Sequence, residues 1–525
     1  MTGSVAGTAA RALLGSGLLG PPGPVAVLRL VREIHRGGAN FYTLLAIAAA
    51  RWPDRTALVD DDGALRYSEL QSLTESLAHE LLRADVEAGQ AVGIMCRNGR
   101  NFVAAVFATS LVGADVVLVN TEFRSDALAG AVSAYQIRTM LCDKEFVDQI
   151  RQTGESIRVI DPQTVAPQAD SRPKVASAGR IVLLTSGTTG VPKGVSRTPT
   201  MSSGVGVGVT ILDRTRLRVG SRVALAVPMF HGLGFGMLML AIGLGGTVLT
   251  RRRFDAEATL AQASLHRADA LSAVPIMLAR ILDLPQRVKT RNPLPCLKVV
   301  ISSGDRLDPN LTRRFMDAHG DILYNLYGST EVGIGALATP LELRRFPETV
   351  GKPVAGCPVR IFDKSGKPVG PRVIGRVFVG GELTSQGYTR AGGGTLPNRE
   401  AVIDRMTNTG DMGYLDESGR LYIVGREDDM IVSGGENVYP RALENALARH
   451  PGIAENVVVG VPDEQFGRRL AAYVVLRPGS DLDAPALREF LKGKVSRFEQ
   501  PRDINIVDSI PRNPAGKVLR KQLST

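Results

Sequence analysis

Ile181-Val-Leu-Leu-Thr185 runs directly into Ser186-Gly-Thr-Thr-Gly-Val-Pro-Lys-Gly194, an apolar segment followed by a turn of glycines, hydroxyls and one lysine. The apolar part, Ile181–Leu184, reads as a buried strand. Glycines let a backbone come close to a ligand, and free amides with hydroxyls form a concave nest for an anion. Lys193 adds a mobile positive charge. The turn is therefore a phosphate-binding candidate, with a nucleoside triphosphate as its ligand. It is not a P-loop, because a Walker motif continues Gly-Lys with Ser or Thr, whereas Pro192 precedes Lys193 and Gly194 follows it. A Gly/Ser/Thr linker is the plain alternative, and its place behind a strand argues against that.

Around this turn, 525 residues provide for more than one domain and an ample core. Hydrophobic residues at 44% and charged residues at 22% describe an ordinary globular composition. Cys96, Cys142, Cys296 and Cys357 are far apart and include no CxxC pair, so neither a zinc site nor a disulfide framework is expected. A reducing cytoplasm is the expected compartment. The net charge of +11 would suit nucleic acid, an anionic membrane or small polyanions. Basic residues are dispersed apart from Arg251-Arg-Arg253, and no nucleic-acid-binding module is recognisable. Nucleic acid is excluded as a partner. Ala9–Leu19 is fairly apolar but lacks a charged n-region. Val25–Arg36 reads as a short basic amphipathic helix: either a surface helix packed on the domain, or a peripheral membrane contact at the inner face. Gly232–Leu249 carries too many glycines for a span, and no transmembrane helix is expected.

The pattern along the chain is α/β. From Phe41 to about Gly425, short Val/Ile/Leu runs alternate with helical stretches, as in Ala57–Val59 before Tyr67–Arg83 and Val299–Ile301 before Leu311–His319. After Val354, strands at Val359–Phe362, Val377–Val379 and Leu421–Val424 indicate a β-rich subdomain. The polar cluster Arg426–Asp429 then marks a hinge to a small α+β domain. The expected organisation is an N-terminal extension (1–40), a large domain of stacked α/β sheets (41–425) and a mobile C-terminal domain (426–525).

Four further segments carry chemistry. Tyr324-Asn-Leu-Tyr-Gly-Ser-Thr-Glu331 follows a strand end, where ligand crevices of α/β sheets occur. Tyr327 offers a flat face for a base, Asn325 a donor and an acceptor, Thr330 a phosphate contact and Glu331 a carboxylate for Mg²⁺. On its own, Ser329–Glu331 would equally serve as a helix N-cap. Thr409-Gly-Asp411 presents an acid suited to ribose hydroxyls. Ser433-Gly-Gly-Glu-Asn437 admits something narrow beside the backbone. Pro511-Arg-Asn-Pro-Ala-Gly-Lys517 ends in a lysine that would ordinarily be a solvated charge.

In order and interval, these segments resemble the adenylate-forming superfamily of acyl-CoA synthetases, adenylation domains and luciferases, over roughly Phe41–Leu523. The resemblance is to a fatty-acid–CoA ligase of actinobacterial type. It implies ATP, Mg²⁺ and CoA, and gives each matching residue a role. Thr185, Ser186, Gly187, Thr188, Thr189, Gly190 and Lys193 match the phosphate loop. Ser303-Gly304-Asp305-Arg306 matches the segment lining adenine. Asn325, Tyr327, Gly328 and Thr330 match the nucleotide-contacting run, and Glu331 matches the Mg²⁺ carboxylate. Asp411 and Arg426 match the ribose pair, and Asp428 the hinge. Lys517 matches the lysine bridging carboxylate and α-phosphate. His231 matches the guard of the acyl pocket, and Gly434-Gly435 the pantetheine tunnel. The chain departs from the family pattern at Ser196–Pro199, Pro514-Ala515 and Arg376, which bears on subgroup and substrate.

Phe230–Met237 contains no aspartate to hold a substrate ammonium, so a plain carboxylic acid is implied. Gly333, Gly335 and Ala336 are small enough to leave room for a long chain, which points to a medium- or long-chain fatty acid. They would equally permit tight backbone packing. The alternatives are a fatty-acyl-AMP ligase loading a carrier protein and a CoA ligase for an aryl or short-chain acid.

Overall fold

The computed structural model describes residues 5–18, 33, 40–166, 173–175, 179–185, 193–198, 205–329, 332–381, 388–389, 395–396, 402–427, 431–433, 436–463, 467–495, 499–513 and 516–523. Local sequence signals place its helices. In Tyr67–Arg83, Glu69 accepts a 2.7 Å hydrogen bond from the Arg66 amide, and Leu70, Leu77, Ala78 and Leu81 form the buried face. In Pro309–His319, Asp308 accepts from the amides of Asn310 and Leu311, and Gly320 ends the helix at φ 85°.

Two large sheets dominate. Among the described residues the first has nine strands, with its central members Thr56–Asp60, Thr247–Thr250, Arg222–Leu225, Ala270–Ala273, Val299–Ser302 and Leu323–Ser329 all parallel. The second has eight strands and a parallel centre of Ile181–Thr185, Asp115–Leu118, Ala91–Met95, Thr139–Cys142 and Arg158–Ile160. The first sheet closes with antiparallel strands at both edges, the second at one edge only, its other edge being the parallel strand Arg158–Ile160. Strands buried on both faces suit such centres. Val223 and Ile301 of the first sheet share one core with Val116 and Ile181 of the second, together with the helices Phe41–Arg51 and Arg100–Leu111. Leu271, Val300 and Leu323 line the outer face of the first sheet, and Val117, Met140 and Val182 that of the second.

A third, antiparallel sheet contains Val359–Phe362, Gly375–Val379, Met406–Leu415 and Leu421–Arg426. The small C-terminal domain has its own sheet, in which Ile453–Asp463 pairs with Gly467–Leu476 and Asp503–Ile506 joins in parallel. Helices Pro440–Ala448 and Ala484–Leu491 cover its core.

Three expectations change in detail. Tyr324–Ser329 is not a loop beyond a strand; it is the strand itself, turning back through a bulge to pair with Gly333–Ala338. A Cβ on Gly328 would lie 2.1 Å from the Gly333 carbonyl oxygen, so only glycine fits there. Ile431–Ser433 and Glu436–Val438 pair as antiparallel strands, with Ser433 opposite Glu436; Gly434 and Gly435 lie outside the described residues. Ala9–Leu19 is largely the helix Val5–Ser16, which packs on Val205–Thr215 with Arg11 3.3 Å from Asp213. Val25–Arg36 lies outside the described residues except for Glu33. No helix among the described residues is long and apolar enough to cross a membrane.

Candidate active site

Thr185 and Lys193 are register partners in antiparallel strands. The glycine- and hydroxyl-rich turn thus connects a hairpin, whereas a P-loop enters a helix. Ser186, Gly187, Thr188, Thr189 and Gly190 lie outside the described residues, as do Thr330, Glu331 and Asp428. At the foot of the hairpin, a Cβ on Gly194 would lie 2.2 Å from the Tyr135 hydroxyl oxygen.

The parallel strands of the first sheet end side by side, and their C-terminal ends deliver Val274–Ile276, Ser303–Arg306 and Tyr327. Crevices at such ends are where α/β sheets bind ligands. The Tyr327 hydroxyl donates to Asp411 Oδ2 at 2.6 Å, and one side of its ring rests on Gly335, where a Cβ would come within 3.4 Å. Asp411 stands opposite Arg426 across paired strands, with Oδ1 3.9 Å from Nη1. A Cβ on Gly410 would lie 2.9 Å from the Arg426 guanidinium, so the left-handed glycine at φ 74° makes room for it. Burial raises the Asp411 carboxyl above its ordinary range, opposed by the Tyr327 hydrogen bond and by the charges of Arg426, Arg441 and Lys517. Burial and the Asp411 charge drive the Tyr327 phenol well upward, which keeps it a hydrogen-bond donor. Asn325 is buried, and its amide donates to the Thr349 carbonyl at 3.3 Å. One of its two amide hydrogens is thereby spent on the fold.

Gly335 seats Tyr327 and Val379, the Gly333 carbonyl lies beside Gly328, and Ala336 is fully buried. Packing thus takes up space at these small residues, as the alternative reading of them allowed. His231 precedes the helix Gly232–Gly243 with its ring 4.5 Å from that of Phe230. Burial pushes its imidazole down to about 4, so it is neutral near pH 7.

Lys517 is exposed, at the end of a tight turn. Its amide donates to Asn513 Oδ1 at 2.9 Å and its carbonyl accepts from the Asn513 amide at 2.8 Å. Gly516, at φ 81°, lies against the large domain, where a Cβ would be 2.7 Å from Ile276 and 2.9 Å from Val274. The turn brings the Lys517 charge to bear on both Asp305 and Asp411, residues more than a hundred positions away.

Comparison with known proteins shows the family. The family model for AMP-binding enzymes matches residues 45–389, and that for the AMP-binding enzyme C-terminal domain matches residues 442–517. The chain belongs to the AMP-binding enzyme family. It is 30% identical over 503 residues to sulfoacetate–CoA ligase of Cupriavidus necator, covering 91% of this chain and 96% of that one. It is also 30% identical over 476 residues to 2-succinylbenzoate–CoA ligase of Bacillus cereus, covering 90% and 95%. Among solved structures, o-succinylbenzoate CoA synthetase of Bacillus subtilis with its acyl-adenylate superposes at a TM-score of 0.81 and 27% identity, over 92% of this chain and 98% of that one.

Adenylate-forming CoA ligases use ATP, Mg²⁺ and CoA. In this chain Tyr327 and Asp411 are joined by a hydrogen bond, and the turn that carries Lys517 seats through Gly516 against Val274 and Ile276 at the end of a neighbouring strand. The described residues contain no cluster of three or more acidic, His or Cys side chains that could hold a metal alone.

Sequence reasoning missed Glu444 and Arg512. Glu444 accepts from Arg306 at 3.0 Å and from Arg520 at 2.8 Å; Arg512 reaches both Asp305 and Glu455. A signal for Glu444 existed: Pro440, Leu443, Glu444 and Leu447 share one helical face, so an acid falls among buried apolar positions.

Proposed function

We propose that this chain is an AMP-forming acid–thiol ligase whose acid is an aryl or short-chain carboxylic acid rather than a fatty acid. The observation that carries the reaction is the seating of the Lys517 turn, through Gly516, against Val274 and Ile276 at the sheet end that also delivers Tyr327 to Asp411. Support for the acid comes from the named substrates of the relatives, sulfoacetate and 2-succinylbenzoate, and from the packed state of Gly333–Ala336. Phe230–Met237, without an aspartate, favours an acid with no ammonium group.

The mechanism follows from charge. A carboxylate and a triphosphate repel one another, and the phosphoryl oxygens shield phosphorus. Lys517 and Lys193 offset that charge and hold the carboxylate in line with the α-phosphorus. Asp411 holds the ribose, and Ser303, Gly304 and Asp305 line the base with Tyr327 stacked on it. Mg²⁺, when bound, spreads the triphosphate charge. The carboxylate oxygen bonds to the α-phosphorus, and pyrophosphate leaves to give acyl-AMP. A hinge at Asp428 then rotates the small domain, withdraws Lys517 and lines a channel with Gly434-Gly435. The CoA thiol loses its proton, its sulfur attacks the acyl carbonyl, and AMP leaves. The domain limits 1–40, 41–425 and 426–525 belong to this reading, as does a cytoplasmic location.

ATP-dependent CoA consumption should be measured with sulfoacetate, 2-succinylbenzoate, benzoate, acetate and fatty acids of graded length. The expected maximum of kcat/KM falls on an aryl or short-chain acid. A maximum on a long-chain fatty acid would overturn the substrate assignment.

A further inference from the structure

Two consecutive residues of the large domain, Asp305 and Arg306, each pair with an opposite charge on the small domain. Asp305 accepts from Arg512 at 3.4 Å, and Arg306 donates to Glu444 at 3.0 Å. All four side chains are largely shielded: Arg306 is 18% exposed, Glu444 5%, Arg512 19% and Asp305 28%. Among the described residues, the other ion pairs between residues 41–425 and 426–525 are Arg449–Glu348, which is solvent-exposed, and the 3.9 Å contact of Arg426 with Asp411 at the domain boundary. Exposed pairs contribute little, whereas shielded ones fix geometry.

The same Arg512 nitrogen that meets Asp305 also donates to the Gly516 carbonyl at 2.7 Å, one residue before Lys517. Its other terminal nitrogen is anchored in its own domain by Glu455 at 3.0 Å. Glu444 is fastened within the small domain by Arg520 and by the Val458 amide. The small-domain half of the contact is thus fastened within its own domain, and Asp305–Arg512 and Arg306–Glu444 are the shielded charge pairs that join it to the large domain. Arg306 Nη2 and Arg512 Nε are buried without a protein partner, so the contact is incompletely satisfied and suited to opening.

We propose that Asp305–Arg306, with Arg512 and Glu444, form a two-pronged clasp that positions Lys517 for adenylate formation and opens for thioester formation. These are positioning residues, acting through the Lys517 turn. In the proposed reading Asp305 also lines the base, which would couple occupancy of the nucleotide site to the orientation of the small domain.

The inference rests on the adenylate-forming reading, so its test has one arm that needs no substrate. Spin labels at Leu265→Cys on the large domain and Asp508→Cys on the small domain, in a Cys296→Ser background, report the interdomain distance. Arg512→Gln and Arg306→Gln should broaden or shift that distribution, and Glu455→Gln should change it less. An unchanged distribution in both arginine variants would overturn the clasp. In the second arm, Arg512→Gln should slow acid-dependent pyrophosphate release by about 10- to 100-fold while thioester formation from supplied acyl-AMP changes less than about twofold. Arg512→Lys should recover part of the loss. Equal loss in both half-reactions would mark Arg512 as merely structural and sink the proposal. If the unmodified enzyme formed no acyl-AMP with any acid, the functional reading would fall, and the distance measurement would still judge the clasp.

Discussion

His231 shows what burial does to a single titrating side chain in this molecule. Its imidazole is held down to about 4 from an ordinary 6.5 by desolvation, beside the Phe230 ring. Between those two values the unfolded chain binds a proton that the native state refuses. The stability His231 contributes is therefore complete above 6.5 and is lost as pH falls toward 4. Denaturant titrations of the wild type and His231→Gln should agree in their pH trend above pH 7 and diverge below it, the wild type losing stability faster. Parallel curves from pH 7.5 to 5 would contradict a buried, neutral imidazole. The neutrality also matters for substrate choice, because His231 cannot supply a cation to an acidic substrate near pH 7.

The turn from Asn513 to Lys517 is an element that works only by being thin. Gly516 sits at φ 81°, and a Cβ there would fall 2.7 Å from Ile276. Gly516→Ala meets both a left-handed backbone penalty, on the order of 1 kcal/mol, and that clash. Adenylate formation should fall about tenfold or more while the melting temperature moves little, since the small-domain core is untouched. Unchanged adenylate formation would show that the turn need not seat on the large domain. Helices of this size were readable from local rules: Tyr67–Arg83 and Ala484–Leu491 begin and end where capping and periodicity place them. The strand Leu323–Ser329 was read too short, because its polar residues and Gly328 imitate a loop, and only the return strand Gly333–Ala338 explains them. Ion pairs such as Arg306–Glu444 and Arg512–Asp305 join residues far apart in sequence, and no local pattern encodes such partners. Asn325 was legible as a polar residue near the site but not as one already committed to Thr349.

At the scale of the whole molecule, a small domain with its own core is laid over the ends of a parallel sheet, touching it through a glycine turn and a few charges. In the proposed mechanism Tyr327 and Asp411 belong to the side of the crevice that stays, and Lys517 to the side that moves. A domain that carries one catalytic charge in and out lets one site serve two reactions, with closure and release as separate steps. The assignment of the acid rests on the relatives, but the division of labour rests on Lys517 alone. The most direct measurement is Lys517→Ala assayed in each half-reaction separately. Pyrophosphate release with acid and ATP should fall by at least about 100-fold, while conversion of supplied acyl-AMP and CoA to thioester should stay within about twofold of wild type. Equal loss of both half-reactions, or none of either, would contradict a lysine that serves only the first.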